Sequence, residues 1–260
     1  MNIHIVIAAY ALADELVRSV ESATSQRHNL YRHLFLHSHN PQVIAVCEQF
    51  ARRSDTTYYP YGINRGLSKS WNQGMIRAFD QGADAVMFVN DDCVFEPGDL
   101  DTLVEYAYQH GHYLTEAHGF DHRHQAWKWL GMSCCVMLPV AFQRVGCFDE
   151  NFFPAYYEDI DYKRRADLLG LRMGQCSETH VQHLGAASVF SSPALTKQFE
   201  ITFAANDRYY QGKWGGAMEA EQYPYPFNNP SFDSYIAPSL RSMPYGHPYD
   251  RTDWQIVAVD

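Results

Sequence analysis

The hydrophobic pattern of the chain is most distinctive at Ala85-Val86-Met87-Phe88-Val89, an unbroken apolar run that stops at Asn90-Asp91-Asp92. A run of this length predicts a strand buried on both faces, as in a parallel sheet covered by helices. Upstream, short apolar runs alternate with segments of helical spacing. Residues 3–8 are predicted as a strand, and residues 12–23 as a helix with Leu16, Val17 and Val20 on one face. Residues 34–36 follow as a second strand, and residues 41–53 as a helix opened by Pro41. A third strand is expected over 56–61, then a helix over 67–81 striped by Leu67, Trp71, Met75 and Phe79 and ended by Gly82. Strict alternation of this kind defines an α/β class with a nucleotide-binding type of sheet.

Beyond Asp92 the pattern changes. A helix is expected over 99–109, strands over 112–117 and 127–138, the second bent at Gly131, and a short helix over 140–145. The acidic segment Tyr156-Tyr157-Glu158-Asp159-Ile160-Asp161 opens a helix that runs to Leu169 and closes at Gly170. Residues 171–183 read as a strand and 193–210 as a helix. Residues 219–248 are rich in Pro, Tyr and Asn without periodicity. Tyr223, Tyr225, Phe227, Tyr235, Ile236, Tyr245 and Tyr249 are too many large rings to leave in water, so this tail is expected to wrap the main body.

Composition narrows the function. The 260 residues are 46% hydrophobic and 15% aromatic, enough for a large core. With 20 Lys and Arg against 30 Asp and Glu, a net charge of −10 argues against a protein that coats nucleic acid. No segment is long and apolar enough to span a membrane, and the first residues start a strand without a basic leader, so secretion is not expected. The six cysteines form no C-x-x-C pair and read as reduced thiols of a cytoplasmic protein. His118, His122 and His124 cluster as zinc ligands do, but no fourth ligand stands at a typical spacing, which favours a polar loop.

Two acidic clusters carry the chemistry. In open α/β sheets ligands bind beyond the carboxyl ends of the strands, which is where Asn90, Asp91 and Asp92 fall. Hard carboxylate oxygens there suit magnesium or manganese, although the same residues also suit a surface turn. Glu158, Asp159 and Asp161 occupy the first turn of a helix, where they can complement its dipole or act as proton acceptors beneath an aromatic wall.

The ordered set Asn64-Arg65-Gly66, Asn72-Gln73-Gly74, Asn90-Asp91-Asp92, Phe148-Asp149-Glu150-Asn151-Phe152-Phe153, Glu158-Asp159-Ile160-Asp161 and His183-Leu184-Gly185 resembles the inverting GT-A glycosyltransferases of family 2, particularly rhamnosyltransferase-like members. The resemblance spans residues 3–188. It implies a Rossmann-like sheet with helices on both faces, fused to a smaller mixed sheet on the acceptor side. Residues 1–192 would form the catalytic domain, with 1–92 as the nucleotide-sugar half and 93–192 as the acceptor half, and 193–260 a helix and tail packed on it.

The resemblance also implies roles. Asp92 and His183 would hold a divalent cation, manganese or magnesium, with His180 the rival of His183. Asp159 would be the catalytic base, with Glu158 and Asp161 orienting it or the acceptor. Ala8, Tyr10, Asn40, Asn64, Gly66, Asn72, Asn90 and Asp91 would bind a UDP- or dTDP-linked sugar, and the acceptor would be a glycan or glycolipid. A lipid-linked acceptor would bring the protein to the membrane periphery, and the resemblance leaves room for a homodimer. The chain departs from the family where His37-Ser38-His39-Asn40 replaces an aspartate and a small-residue turn, which leaves the nucleotide open. Two other readings are an inactive nucleotide-sugar or glycan-binding protein and a nucleotidyltransferase. The second is disfavoured because Ala8-Ala9-Tyr10-Ala11-Leu12 lacks a glycine-rich loop and a cation.

Overall fold

The structure is a computed structural model that describes residues 1–231. Tyr235, Ile236, Tyr245 and Tyr249 of the expected wrap lie outside the described residues. Strands β1 (Asn2–Ala9), β2 (Asn29–Leu36), β3 (Thr56–Pro60) and β4 (Ala85–Asn90) form one parallel half, linked by helices α1 (Ala13–Ser22), α2 (Pro41–Phe50) and α3 (Leu67–Asp80). The remainder comprises β5 (Cys93–Val94), α4 (Asp99–His110), β6 (Leu114–Asp121), β7 (Ala126–Trp129), β8 (Cys134–Met137), α5 (Pro139–Val145), α6 (Glu158–Leu168), β9 (Met173–His183) and α7 (Pro193–Trp214). Among the described residues all nine strands share one sheet of order β3-β2-β1-β4-β8-β6-β9-β5, with β7 paired to β6.

The sheet changes direction beside β4. Its neighbour β1 is parallel, whereas β8 on the other side is antiparallel, and β9 returns parallel to β6. Helices α1, α2 and α4 cover one face through Leu16, Val43, Leu103 and their neighbours. On the other face α3, α5 and α6 pack Trp71, Met75, Val145 and Tyr162. A third cluster, Phe152, Tyr209, Tyr210 and Trp214, fastens α7 to the segment before α6.

Three expectations are corrected. The predicted strand over 127–138 is two strands, β7 and β8, separated by a 3-10 turn at Gly131–Ser133. The apolar run hides this break because β7 pairs only with β6, while β8 pairs with both β4 and β6. β2 begins at Asn29, not at residue 34, and its extra residues include buried polar groups. The two terminal nitrogens of Arg32 donate to Asp55 Oδ2 at 2.6 Å and Ala23 O at 2.7 Å, and His33 stacks on His4. α7 continues to Trp214 rather than stopping at residue 210, because Lys213 and Trp214 are buried. Where the tail is described it packs on α7: Tyr223 N donates to Trp214 O at 2.9 Å, and Phe227 stacks near Tyr209.

Candidate active site

Parallel pairing brings the carboxyl ends of β1, β2 and β4 to one edge, where they open into a cleft of about 420 Å³. Ala8, Tyr10, His37, Asn64, Asn90, Asp91 and Asp92 line this side. The Tyr10 amide donates to Asp91 Oδ2 at 3.0 Å, tying the ends of β1 and β4 together. Burial and the neighbouring Asp92 push the Asp91 carboxyl up to about 7. His37 takes the place of the family's aspartate. The Arg65 amide donates to its Nδ1 at 3.0 Å, so its other nitrogen, Nε2, donates to Ser70 Oγ at 2.5 Å. The ring is thus neutral and fully engaged, and burial pushes its pKa down to about 4.

Pairing of β5 with β9 sets Cys93 opposite His183 and so carries His183 to Asp92. Asp92 Oδ1 and His183 Nε2 face each other at 3.3 Å, both buried, and neither makes a hydrogen bond. Two partnerless ligand atoms of this chemistry fit a divalent cation between them. Behind the ring, Asp121 Oδ2 lies 3.7 Å from His183 Nδ1, the side from which a carboxylate orients a ligating histidine. Cys93 completes a set of ligand atoms within 4.8 Å of one another. It fits poorly as a ligand, because its thiol donates to Ser133 O at 3.3 Å and burial raises its pKa well above the usual thiol range. His180 is not part of this wall: its exposed ring packs edge-on against Trp127.

The opposite wall is the N-terminus of α6. Tyr156 and Tyr157 approach it with φ of 77° and 75°, left-handed values that non-glycine residues adopt at a cost. They deliver Glu158 and Asp159 to the cleft at the positive end of the helix. Burial raises the Glu158 carboxyl well above the usual range, and its Oε2 makes no hydrogen bond. The half-buried Asp159 is also raised by burial, with Lys163 opposing the shift. The loop before α6 is held to the start of α3 by the Leu67 amide, which donates to Pro154 O at 2.7 Å.

Four residues expected in the site stand outside the cleft lining. Asn40 caps α2 by accepting from the Gln42 amide at 2.9 Å. Asn72 is buried and bonds both backbone atoms of Phe148. Gly66 has φ +89°, and a Cβ there would stand 3.0 Å from the Phe153 ring, so it permits the close approach of the two loops. Asp161 is fully buried in an ion network with Lys213 and Arg165. Conversely, Lys128, Gln198 and Phe199 line the cleft without any sequence motif to announce them, and Asp121, Arg123 and His124 reach it from the histidine cluster. Of the histidine cluster, His118 stacks on Trp127, His122 bonds Gln182, and His124 bonds Asp121, so the three do not converge.

A mixed α/β sheet with an acidic cleft at its strand reversal is the GT-A architecture of nucleotide-sugar enzymes. The profile of glycosyl transferase family 2 matches residues 4–168, and the chain belongs to that family. The fold is also that of TarS from S. aureus. Residues 1–349 of TarS in complex with UDP-GlcNAc superpose with a TM-score of 0.58 at 11% identity, covering 80% of this chain and 70% of that one. A second structure of the same TarS residues gives a TM-score of 0.54 at 12% identity, with 83% and 74% covered. No match was found among curated proteins.

Proposed function

We propose that this family 2 glycosyltransferase moves a sugar from a UDP- or dTDP-linked donor to a hydroxyl of a glycan or glycolipid, in one displacement with inversion. The observation that carries the reading is a single cleft with the partnerless Asp92 and His183 on one wall and Glu158 and Asp159 on the other. The UDP-GlcNAc complex of the similarly folded TarS supports a donor of this chemical class. Tyr10 offers a ring for the base, and the amides of Asn64 and Asn90 offer paired donors and acceptors. When bound, a magnesium or manganese ion at Asp92 and His183 supplies positive charge to the departing diphosphate. Asp159, open to the cleft and with Lys163 favouring its carboxylate form, takes the proton of the acceptor hydroxyl as the new bond forms. Glu158, whose carboxyl burial pushes well above the usual range, stands beside Asp159 to orient it or the acceptor. No helix among the described residues is long and apolar enough to cross a membrane, and all six cysteines are buried outside any disulfide, which supports a reducing cytoplasm as the site of action.

The test is Asp159→Asn, which keeps size and removes the proton acceptor. Transfer is expected to fall by about two to four orders of magnitude while donor affinity is retained. Near-normal transfer by this variant would place the base elsewhere.

A further inference from the structure

Beneath the proposed base lies a charged pair that the transfer reaction itself does not consume. Lys163 stands one helical turn after Asp159 on α6, the spacing at which side chains become neighbours. Its Nζ bonds Glu116 Oε1 at 2.5 Å, across from α6 on the central strand β6. Glu116 is buried, and its other oxygen accepts from Gln175 Nε2 at 3.3 Å. The pair underlies the cleft floor, for a Cβ on the cleft residue Gly131 would lie 3.8 Å from Glu116 Oε1 and 4.0 Å from Lys163 Nζ.

We infer that the Glu116–Lys163 ion pair sets the pH at which Asp159 works. Lys163 supplies a positive field that favours the ionised carboxylate, and Glu116 both holds Lys163 in place and cancels part of that field. The remaining groups that act on this corner are Glu158 beside Asp159, the Tyr156 hydroxyl of the preceding loop and the Cys135 thiol of β8. Burial keeps the Cys135 thiol and the Tyr156 hydroxyl protonated near neutral pH and pushes the Glu158 carboxyl well above its usual range, which leaves Lys163 and Glu116 as the ion pair that acts on Asp159. Lys163 and Glu116 are positioning residues, acting only through Asp159.

The inference rests on Asp159 as the base and makes a signed prediction. The pH dependence of kcat, measured at saturating donor and acceptor, reports the base in the bound complex. Lys163→Met should move its acid limb up by about one pH unit, because an opposite charge at this range lowers a carboxyl pKa by about one to three units. Glu116→Gln should move the limb down, since it removes a negative charge and frees the lysine field. Lys163→Arg should keep the limb near its original position. Limbs that stay put, or that move in the same direction in the Met and Gln variants, would overturn the inference. If Lys163→Met does not fold, the downward shift in Glu116→Gln decides the matter alone. Asp159→Asn separates the two readings: if it retains transfer, the base assignment fails, and if it is inactive while the limbs do not move, only the role of the pair fails.

Discussion

Lys213 Nζ lies 2.6 Å from Asp161 Oδ1 in the interior, with both side chains almost completely shielded from water. The same ammonium reaches Asp149 Oδ2 at 2.8 Å, while Asp161 also accepts from Arg165 Nε and Trp214 Nε1, each at 3.0 Å. Two carboxylates and two cations thus tie α7 to α6 and to the loop before it. Removing one partner leaves an uncompensated buried charge, which costs about 3–5 kcal/mol. Lys213→Met and Asp161→Asn should each lower the urea midpoint accordingly. Asp159→Asn, at the open cleft, should change it by less than about 1 kcal/mol, the scale of a lost helix-end interaction. The comparison of unfolding curves distinguishes the acid that holds the fold from the acid at the cleft.

Metal dependence should be visible without turnover. Calorimetric titration of a nucleoside diphosphate is expected to show at least about a tenfold loss of affinity when EDTA replaces manganese, which corresponds to about 1.4 kcal/mol. Asp92→Ala should bind with the weaker affinity in both conditions. Equal binding by the original protein with and without the metal would remove the ion from donor recognition.

Acid should destabilise the fold through two buried histidines, His33 away from the cleft and His37 in its lining. Burial pushes His33 down to about 4, and His37 likewise to about 4. An unfolded histidine titrates near ~6.5, so below that pH the unfolded chain takes up protons that the folded chain refuses. Stability is therefore full above about pH 6.5 and falls as the pH drops toward 4, by about 1.4 kcal/mol per pH unit for each histidine. Urea unfolding between pH 7.5 and 5 should show this slope, and His33→Gln should reduce it by about one histidine's share.

The parallel half of the fold is legible in the sequence because its strands are buried on both faces and its helices carry single apolar stripes. β4 is the clearest case, with the predicted limits 85–90 observed as Ala85–Asn90. The second half is less legible because its strand limits depend on partners distant in the chain. Nothing local tells residues 127–138 that their two ends pair with different neighbours. The acids show the same limit. Three carboxylates in one helical turn look equivalent in sequence, yet Glu158 and Asp159 open on the cleft and Asp161 turns toward Lys213, 52 positions later. His37 was visible as a departure from the family pattern, but its engagement by Arg65 and Ser70 depends on the β2 and α3 segments meeting.

The close approach at Gly66 has a further consequence. The loop at Gly66 and the loop that leads to the acids share a contact at which a Cβ on residue 66 would press on the Phe153 ring, beside the Leu67 to Pro154 bond. A shift of one loop therefore presses on the other. Under the proposed assignment of the two walls, a change of donor preference through this loop displaces the acceptor side as well, so that the two specificities are mechanically one inheritance rather than two independent traits.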